Sequence, residues 1–151
     1  MSRKDDIQVR DIKSRASEIK FETMMQVMDV PYKKTGWSGE IPIDDPRFTQ
    51  LNKTFRKMPD YIAWINGKPE FFEVKSAHTT FFMKKYNHDM YGKFLMWHRV
   101  FYAITYNNSF LLVDWKFVDR IYRNYATEVE HDKVEAHIIP VEDLKQYGRI
   151  L

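Results

Sequence analysis

Residues 59–75 read PDYIAWINGKPEFFEVK, and this stretch decides the predicted fold. Two runs rich in β-branched and aromatic residues, 60–65 and 68–76, flank the pair Asn66-Gly67. An Asn-Gly pair between such runs favours a two-residue type I′ turn, because both residues tolerate positive φ. The sequence therefore predicts an antiparallel hairpin that closes at this pair.

The predicted pairing brings three functional side chains to one face of the hairpin. If Ile65 faces Lys68 across the turn, Asp60 lies directly opposite Glu73. That position is a non-hydrogen-bonded pair, where side chains approach most closely. Lys75 follows Glu73 by two residues and projects from the same face. Two opposed carboxylates destabilise a hairpin unless something compensates for their charge.

A divalent cation would compensate for this carboxylate pair. Oxygen ligands from Asp60 and Glu73 suit Mg²⁺ or Mn²⁺, and Lys75 would assist an attacking water and neutralise charge in the transition state. The alternative is an exposed hairpin with scattered charges. A buried strand is favoured instead, because the neighbours of Glu73 are apolar: Phe71, Phe72 and Val74. The pattern predicts metal-dependent phosphodiester hydrolysis.

The same residues resemble the signature of a nuclease superfamily. Pro59-Asp60 followed by Glu73-Val74-Lys75 is similar to the PD-(D/E)xK motif, and the thirteen-residue step between the acids resembles that of archaeal and Gram-positive Holliday-junction resolvases. The resemblance spans about residues 18–113. It implies an α/β (α+β) restriction-endonuclease-like fold, with a mixed central β-sheet flanked by helices. It also implies cleavage of DNA, commonly by a homodimer.

The resemblance further implies a cofactor and its ligands. The cofactor is Mg²⁺, with Mn²⁺ as the alternative, and its ligands are Asp60, Glu73, the backbone carbonyl of Val74 and a glutamate on the first helix. Glu22 is the preferred glutamate, because its apolar neighbours resemble the family's setting for this residue. Glu18, one turn earlier, is the alternative.

The middle of the chain is basic. Residues 47–100 carry a net charge of +6, whereas 1–46 carry −1 and 101–151 carry −2. A basic block favours a polyanion partner, although a solvated surface also explains it. His98 and Tyr102 share the spacing of a Gln-x-x-x-Tyr pair that some related nucleases carry on the helix after the lysine strand. The predicted contacts to the DNA backbone are Arg47, Lys53, Arg56, Lys57, Lys84, Lys85, Lys93, His98 and Arg99.

The composition excludes several other kinds of site. The 151 residues include no cysteine, which rules out disulfides, thiolate zinc sites and cysteine nucleophiles. The five histidines lack close metal-binding spacing, and the five glycines form no phosphate-binding loop. No apolar run reaches the roughly 18 residues of a membrane helix, and no signal peptide begins the chain. We therefore expect a soluble cytoplasmic protein of a bacterial, archaeal or phage-infected cell.

The remaining sequence predicts helices and further strands around the hairpin in one domain over 1–151, with its core at about 7–140. A helix over 7–28 is expected to bury two apolar stripes, which are Ile12, Ala16, Ile19, Thr23 and Val27, and Phe21, Met24 and Met28. A loop over 29–46 rich in Pro and Gly follows, with Trp37 as a candidate wedge into distorted DNA. The later elements are helices over 46–57, 89–106, 117–125 and 141–147 and strands over 110–113 and 134–139.

Two other functions stay open on the sequence alone. One is a restriction, repair or defence nuclease that acts on other DNA or on RNA, and the other is a catalytically inactive nucleic-acid-binding module. A homodimer is expected because so small a nuclease needs two-fold symmetry to cut two strands symmetrically. Its interface is predicted at three aromatic residues: Phe81, Phe82 and Tyr86.

Overall fold

Helices flank a mixed sheet in the computed structural model, which describes residues 3–35, 57–125, 127–129 and 135–151. The strands there are Tyr32–Lys34 (β1), Tyr61–Ala63 (β2), Glu70–Lys75 (β3), Thr80–Lys84 (β4), Val100–Tyr106 (β5), Ser109–Asp114 (β6), Thr127–Val129 (β7), Glu135–Pro140 (β8) and Gly148–Ile150 (β9). The helices are Arg3–Val27 (α1), Lys85–Gly92 (α2), Trp115–Ile121 (α3) and Val141–Lys145 (α4). Short 3₁₀ turns follow α2 and α3: Lys93–Met96 and Tyr122–Asn124.

The central sheet has six strands in the order β1-β2-β3-β5-β6-β9. β3 and β5 are parallel, and the other neighbours in this sheet are antiparallel. A parallel pair needs a crossover, and here β4 and α2 provide it. β4 leaves the central sheet and pairs with β8, which also pairs with β7 in a second, three-stranded sheet.

The β2–β3 hairpin has the register that the sequence predicts but closes with a different turn. The Trp64 carbonyl accepts the Gly67 N–H at 3.3 Å, and Gly67 has a φ of 75° whereas Asn66 does not adopt positive φ. The predicted type I′ turn is therefore wrong. The Asn66 side chain instead accepts a hydrogen bond from Arg149 at 3.0 Å, and only the glycine takes the left-handed conformation, which costs it no side-chain clash.

The core lies on both faces of the central sheet. On one face Phe21 and Met25 of α1 pack against Tyr61, Phe72 and other buried residues of the strands. The opposite face holds the larger cluster, which α2, α3, α4 and the β4–β8 sheet cover. The predicted burial of the first helical stripe is wrong, since its five residues are exposed: Ile12, Ala16, Ile19, Thr23 and Val27.

The helix predicted over 89–106 is also wrong. α2 ends at Gly92, and the second half of that range is β5. β5 is a central strand between β3 and β6, so apolar residues point to both of its faces. Phe94 and Trp97 lie in and just after the 3₁₀ turn, whereas Phe101 and Ile104 lie in β5, so their helical spacing joins two different elements. Because β5 is buried on both faces, its sequence lacks the alternation that would have revealed a strand.

The other predicted elements are found within the described residues, with shifted ends: α1, β6, α3 with its 3₁₀ turn, β8 and α4. The sequence did not predict β1, β4, β7 or β9. Residues 36–56, which include Trp37 and nearly all of the helix predicted over 46–57, lie outside the described residues. Among the helices described here, none is long and apolar enough to span a membrane.

Candidate active site

Three side chains predicted to act together lie on one face of the β2–β3 hairpin. Tyr61 pairs with Phe72, and this register continues to place Asp60 opposite Glu73. Lys75 ends β3 and projects from the same face as Glu73, two residues earlier. The hairpin therefore brings two carboxylates and an ammonium group together where β2 begins.

The backbone groups of β3 around Glu73 point alternately towards its two neighbouring strands, β5 and β2. The Phe71 N–H donates to the Arg99 carbonyl at 2.8 Å, so the odd-numbered residues of β3 bond towards β5. Val74 is directed towards β2 instead, and its N–H donates to Asp60 Oδ2 at 2.9 Å. Because the N–H and C=O groups of one strand residue point to the same side, the Val74 carbonyl also faces the Asp60 side.

The two carboxylates lie near each other; Glu73 is buried and Asp60 is partly buried. Burial raises the pKa of Asp60 well above its usual range, the negative charge of Glu73 raises it further, and Lys75 opposes both effects. Glu73 is only 4% exposed, and its Oε2 atom has no hydrogen-bond donor in the described part of the chain. A buried, unpaired carboxylate oxygen beside a second carboxylate is a site that attracts a cation.

Two tyrosines lie behind the carboxylates. Burial raises the pKa of the Tyr91 hydroxyl on α2, and the nearby negative charge of Glu73 raises it further. Tyr102 of β5 lies 2.6 Å from His88 Nδ1, and His88 Nε2 lies 3.1 Å from Asp119 Oδ1. Asp119 accepts the proton on His88 Nε2, so His88 Nδ1 accepts a hydrogen bond from the Tyr102 hydroxyl. These two bonds connect α2 and α3 to β5, the strand beside Glu73.

The Gln-x-x-x-Tyr-like pair predicted at His98 and Tyr102 is not on a helix. His98 lies in the bend before β5, and Tyr102 is a strand residue bonded to the histidine of α2. Asn87 and Tyr91 have the same four-residue spacing and do lie on the helix after the lysine strand. They were missed because the sequence pattern placed the helix boundary too late, although the spacing itself is visible in the sequence.

A pocket of about 170 Å³ lies between β4 and α2, and Lys75, Lys84, Asn87 and Tyr91 are among its lining residues. Lys57 belongs to the same charged group. Burial lowers the pKa of Lys57, the positive charges of Lys75 and Lys84 lower it further, and Glu73 opposes them. Lysines from three parts of the chain therefore concentrate positive charge around Glu73.

The other predicted DNA contacts differ in their surroundings. Lys85 pairs with Asp89 at 2.7 Å, and Arg99 pairs with Asp114 at 3.2 Å. Lys93 is exposed in the 3₁₀ turn after α2. Three further predicted contacts lie outside the described residues: Arg47, Lys53 and Arg56.

The two candidate glutamates of α1 have different neighbours. Glu18 is 8% exposed and forms an ion pair with Lys34 at 3.3 Å. Burial raises the pKa of Glu18, the charge of Asp60 raises it further, and Lys34 opposes this. Glu22 lies beside the buried Tyr61 hydroxyl, whose pKa is raised chiefly by burial and then by the Glu22 charge. Glu18, the alternative in the sequence prediction, is thus the glutamate coupled to Asp60.

The donor set fits a hard divalent cation. Asp60 and Glu73 offer adjacent carboxylates, the unpaired Oε2 is one free acceptor, and the Val74 carbonyl faces the same side. Within the described ranges, no three His, Asp or Glu side chains converge into a complete metal cage. The carboxylate pair is the preformed part of the site, and Mg²⁺ commonly keeps several waters beside one or two carboxylates.

The three aromatic residues predicted to form a dimer interface do not form one exposed surface. Phe81 is 2% exposed and packs in the core between the two sheets. Phe82 is half-buried, and Tyr86 is exposed. Alternation along β4 explains this result, since successive side chains of a strand point to opposite faces.

Comparison with solved structures identifies proteins with a similar fold. Hjc, a Holliday junction resolvase from the archaeal hyperthermophile Archaeoglobus fulgidus, is 10% identical over 92% of each chain, with a TM-score of 0.57. D212, a nuclease from a fusselovirus, is 13% identical over 95% of this chain and 86% of its own, with a TM-score of 0.48. No family model and no curated protein sequence matches the chain. The similarity to Hjc confirms the predicted fold class, a mixed central sheet flanked by helices.

Proposed function

We propose that this protein is a metal-dependent endonuclease that hydrolyses phosphodiester bonds in branched DNA. One observation carries the proposal: the register of β2 and β3 opposes Asp60 to Glu73 and puts Lys75 on the same face. The unpaired Glu73 Oε2 supports it, because a buried carboxylate pair needs a cation to be stable when both groups are ionised. The similarity in fold to Hjc, a Holliday junction resolvase, supports branched DNA as the substrate.

In this mechanism Asp60, Glu73 and the Val74 carbonyl would hold Mg²⁺ or Mn²⁺, and Glu18 would add a carboxylate beside Asp60. The bound ion supplies Lewis-acid chemistry and a more acidic water. The Lys75 ammonium lies on the face where the phosphate is attacked, so it orients the attacking water and neutralises developing negative charge. Tyr91, whose pKa is raised by burial and by the nearby Glu73 charge, would help to orient that carboxylate.

The lysines around the site bind the substrate backbone. Lys57 and Lys84 flank Glu73, and their mutual repulsion with Lys75 would be relieved by a phosphate group. Arg99 and Lys93 lie further along the chain, before β5, and extend the basic surface. These contacts position nucleic acid without reading its sequence, which suits an enzyme that selects the shape of its substrate.

Cleavage assays on a panel of substrates test the proposal. The panel contains four-way junction, nicked, duplex and single-stranded DNA and a matched RNA, each incubated with Mg²⁺, with Mn²⁺ or with EDTA. We expect ion-dependent cleavage that is fastest on the junction, and at least about 100-fold slower with Asp60→Ala or Lys75→Ala. Lys116→Ala removes an exposed lysine of α3 and serves as the matched control with unchanged cleavage.

Three results would contradict the proposal. Cleavage that both site variants retain would show that these residues are not the catalytic group. Faster cleavage of duplex DNA or RNA than of the junction would favour a restriction, repair or defence nuclease. Binding to DNA that survives EDTA, with no cleavage of any substrate and no ion bound by calorimetry, would identify an inactive nucleic-acid-binding module.

A further inference from the structure

The pocket between β4 and α2 has the size of a single planar ring. Its volume is about 170 Å³, and an apolar cavity of about 150 Å³ holds one benzene molecule. Four aromatic side chains are among its lining residues: Phe81, Phe82, Tyr91 and Tyr102. The pocket is therefore large enough for a pyrimidine base, and its lining contains rings against which such a base packs favourably.

The walls of the pocket are held in place by the core. The Tyr102 hydroxyl lies 2.6 Å from Nδ1 of His88, which also lines the pocket and is fully buried. The ring centroids of Phe81 and Tyr102 lie 5.0 Å apart, and Tyr91 is only 6% exposed. Because these side chains are already ordered, a ligand loses little affinity to ordering them.

The polar lining residues favour an anionic ligand that also forms hydrogen bonds. Lys75 and Lys84 line the pocket, and none of the described residues that line it is Asp or Glu. Asn87 adds a side-chain amide, which can donate to the edge of a base or accept from it. A planar ring, a negative charge and hydrogen-bonding groups are together the properties of a nucleotide, whereas a phosphate alone would leave the ring-sized space unfilled.

The pocket lies close to the proposed catalytic group. Lys75 follows Glu73 by two residues of β3, or about 7 Å of strand. Phosphates along one strand of duplex DNA recur about every 3.4 Å of the helix axis, so a nucleotide in the pocket lies within about two positions of the phosphate that is cleaved. A base enters such a pocket only when it leaves the base stack, and this costs least for a nucleotide that is already unpaired.

We propose that this pocket binds one unpaired nucleotide of the substrate, beside the phosphate that is cleaved. The inference rests on the proposed function and narrows its substrate class from branched DNA to branches with an unpaired nucleotide near the cut. The base occupies the ring-sized space, the Asn87 amide bonds its edge, and Lys84 binds the phosphate of the same nucleotide. Because the amide can present either its oxygen or its NH₂ group, the pocket selects an unpaired nucleotide and not a sequence.

Binding measurements in EDTA test the inference without cleavage. Two four-way junctions with identical arms are compared, one fully paired and one with a single unpaired thymidine at the branch point. We expect the wild type to bind the junction with the unpaired thymidine at least about tenfold more tightly, and Asn87→Leu to reduce this preference to less than about threefold.

A matched variant controls for the substitution itself. Leucine favours the helix at the half-buried Asn87 position of α2, so the melting temperature of Asn87→Leu should stay within about 3 °C of the wild type. Asn124→Leu makes the same change at an exposed position and should keep the full preference. A preference that Asn87→Leu retains in full would place the unpaired nucleotide elsewhere and would overturn the inference.

Competition by free ligands, measured on the wild type, separates the possible occupants. Thymidine monophosphate, thymidine and inorganic phosphate each compete with the junction that carries the unpaired thymidine. We expect the monophosphate to compete at least about tenfold more effectively than either fragment. Equal competition by inorganic phosphate would identify a simple anion site and overturn the inference. Binding of the free monophosphate without a preference for the unpaired junction would identify a site for free nucleotides, and would also overturn it.

Failure of this inference and failure of the proposed function give different results. Cleavage of branched DNA with Mg²⁺, together with no preference for the unpaired thymidine, would contradict the inference alone. A retained preference with no cleavage of any substrate would contradict the proposed function and support nucleotide binding in the pocket.

Discussion

Replacing Asp60 by asparagine should stabilise the metal-free protein while it abolishes cleavage. Ionised Asp60 faces Glu73 in a mostly buried pair, and burial is the main reason for its raised pKa. The amide of Asp60→Asn still accepts the Val74 N–H, which now bonds Asp60 Oδ2 at 2.9 Å. Its NH₂ group also donates to Glu73, whose Oε2 has no donor among the described residues. The substitution therefore removes a repulsion and satisfies a buried acceptor.

The magnitude follows from the geometry of the pair. Opposed side chains at a non-hydrogen-bonded position have Cβ atoms about 5 Å apart, and two unit charges at that distance repel by about 3 kcal/mol at an effective dielectric constant of 20. The positive charge of Lys75 reduces this repulsion. We expect a net stabilisation of about 1–2 kcal/mol near neutral pH, which corresponds to a rise of roughly 2–8 °C in melting temperature.

The stabilisation should depend on pH in a defined direction. Because the pKa of Asp60 is higher in the folded protein than its ordinary value of 3.8, ionising this group destabilises the fold. The difference between Asp60→Asn and the wild type is therefore small below that value. It grows as the pH rises through the folded pKa, where the wild type loses stability that the uncharged amide keeps.

Thermal melts in EDTA from about pH 3 to pH 8 provide the assay. Asp89→Asn makes the same chemical change at an exposed helix position paired with Lys85, and should change stability by less than about 0.5 kcal/mol. Added Mg²⁺ should stabilise the wild type and not Asp60→Asn. The reasoning is refuted if Asp60→Asn is less stable than the wild type at neutral pH, or if their difference is independent of pH.

Three further substitutions test other parts of the structure. Gly92→Ala should destabilise the fold by about 1–3 kcal/mol in chemical denaturation, because a Cβ there would lie 2.5 Å from the Trp115 ring, which stacks on the His88 ring. Asp114→Ala should cost about 1 kcal/mol in the same measurement, since this side chain caps α3. Glu18→Gln should slow cleavage at least about tenfold more than Glu22→Gln does, because Glu18 is coupled to Asp60.

A specific result would contradict each of these three predictions. A Gly92→Ala protein as stable as the wild type would show that Trp115 moves aside freely, despite its 2.8 Å hydrogen bond to the His88 carbonyl. Unchanged stability of Asp114→Ala would mean that solvent satisfies the first turn of α3 equally well. A larger kinetic effect of Glu22→Gln would restore the original preference for that glutamate.

The hairpin could be predicted from the sequence because its pairing depends on local information. The alternation of side chains and a Gly at the turn restrict the register, and a shift by one residue would move every side chain to the other face. The turn type was wrong while the register was right. A turn that begins at Trp64 and ends at Gly67 connects the same strand residues as the predicted two-residue turn does.

Elements that depend on distant partners could not be predicted in the same way. β1 and β9 each have three residues, and their strand conformation depends on pairing with strands that lie more than 25 residues away in the sequence. β5 was read as a helix because both of its faces are buried, which removes the alternation that distinguishes a strand. The apolar stripes of α1 were both counted as core, since periodicity shows which residues share a face and not which face is covered.

The choice between Glu18 and Glu22 shows the same limit within the site. Four residues of helix move a carboxylate by about 6 Å along the axis, so the two glutamates cannot both reach the same point beside Asp60. The axial position of α1 decides which one does, and Phe21 and Met25 set that position by packing against the sheet. Lys34, the ion-pair partner of Glu18, lies on a strand that the sequence pattern did not reveal. The sequence around Glu22 therefore could not decide between the two glutamates, because the contacts that distinguish them join α1 to an edge strand that only the folded sheet positions.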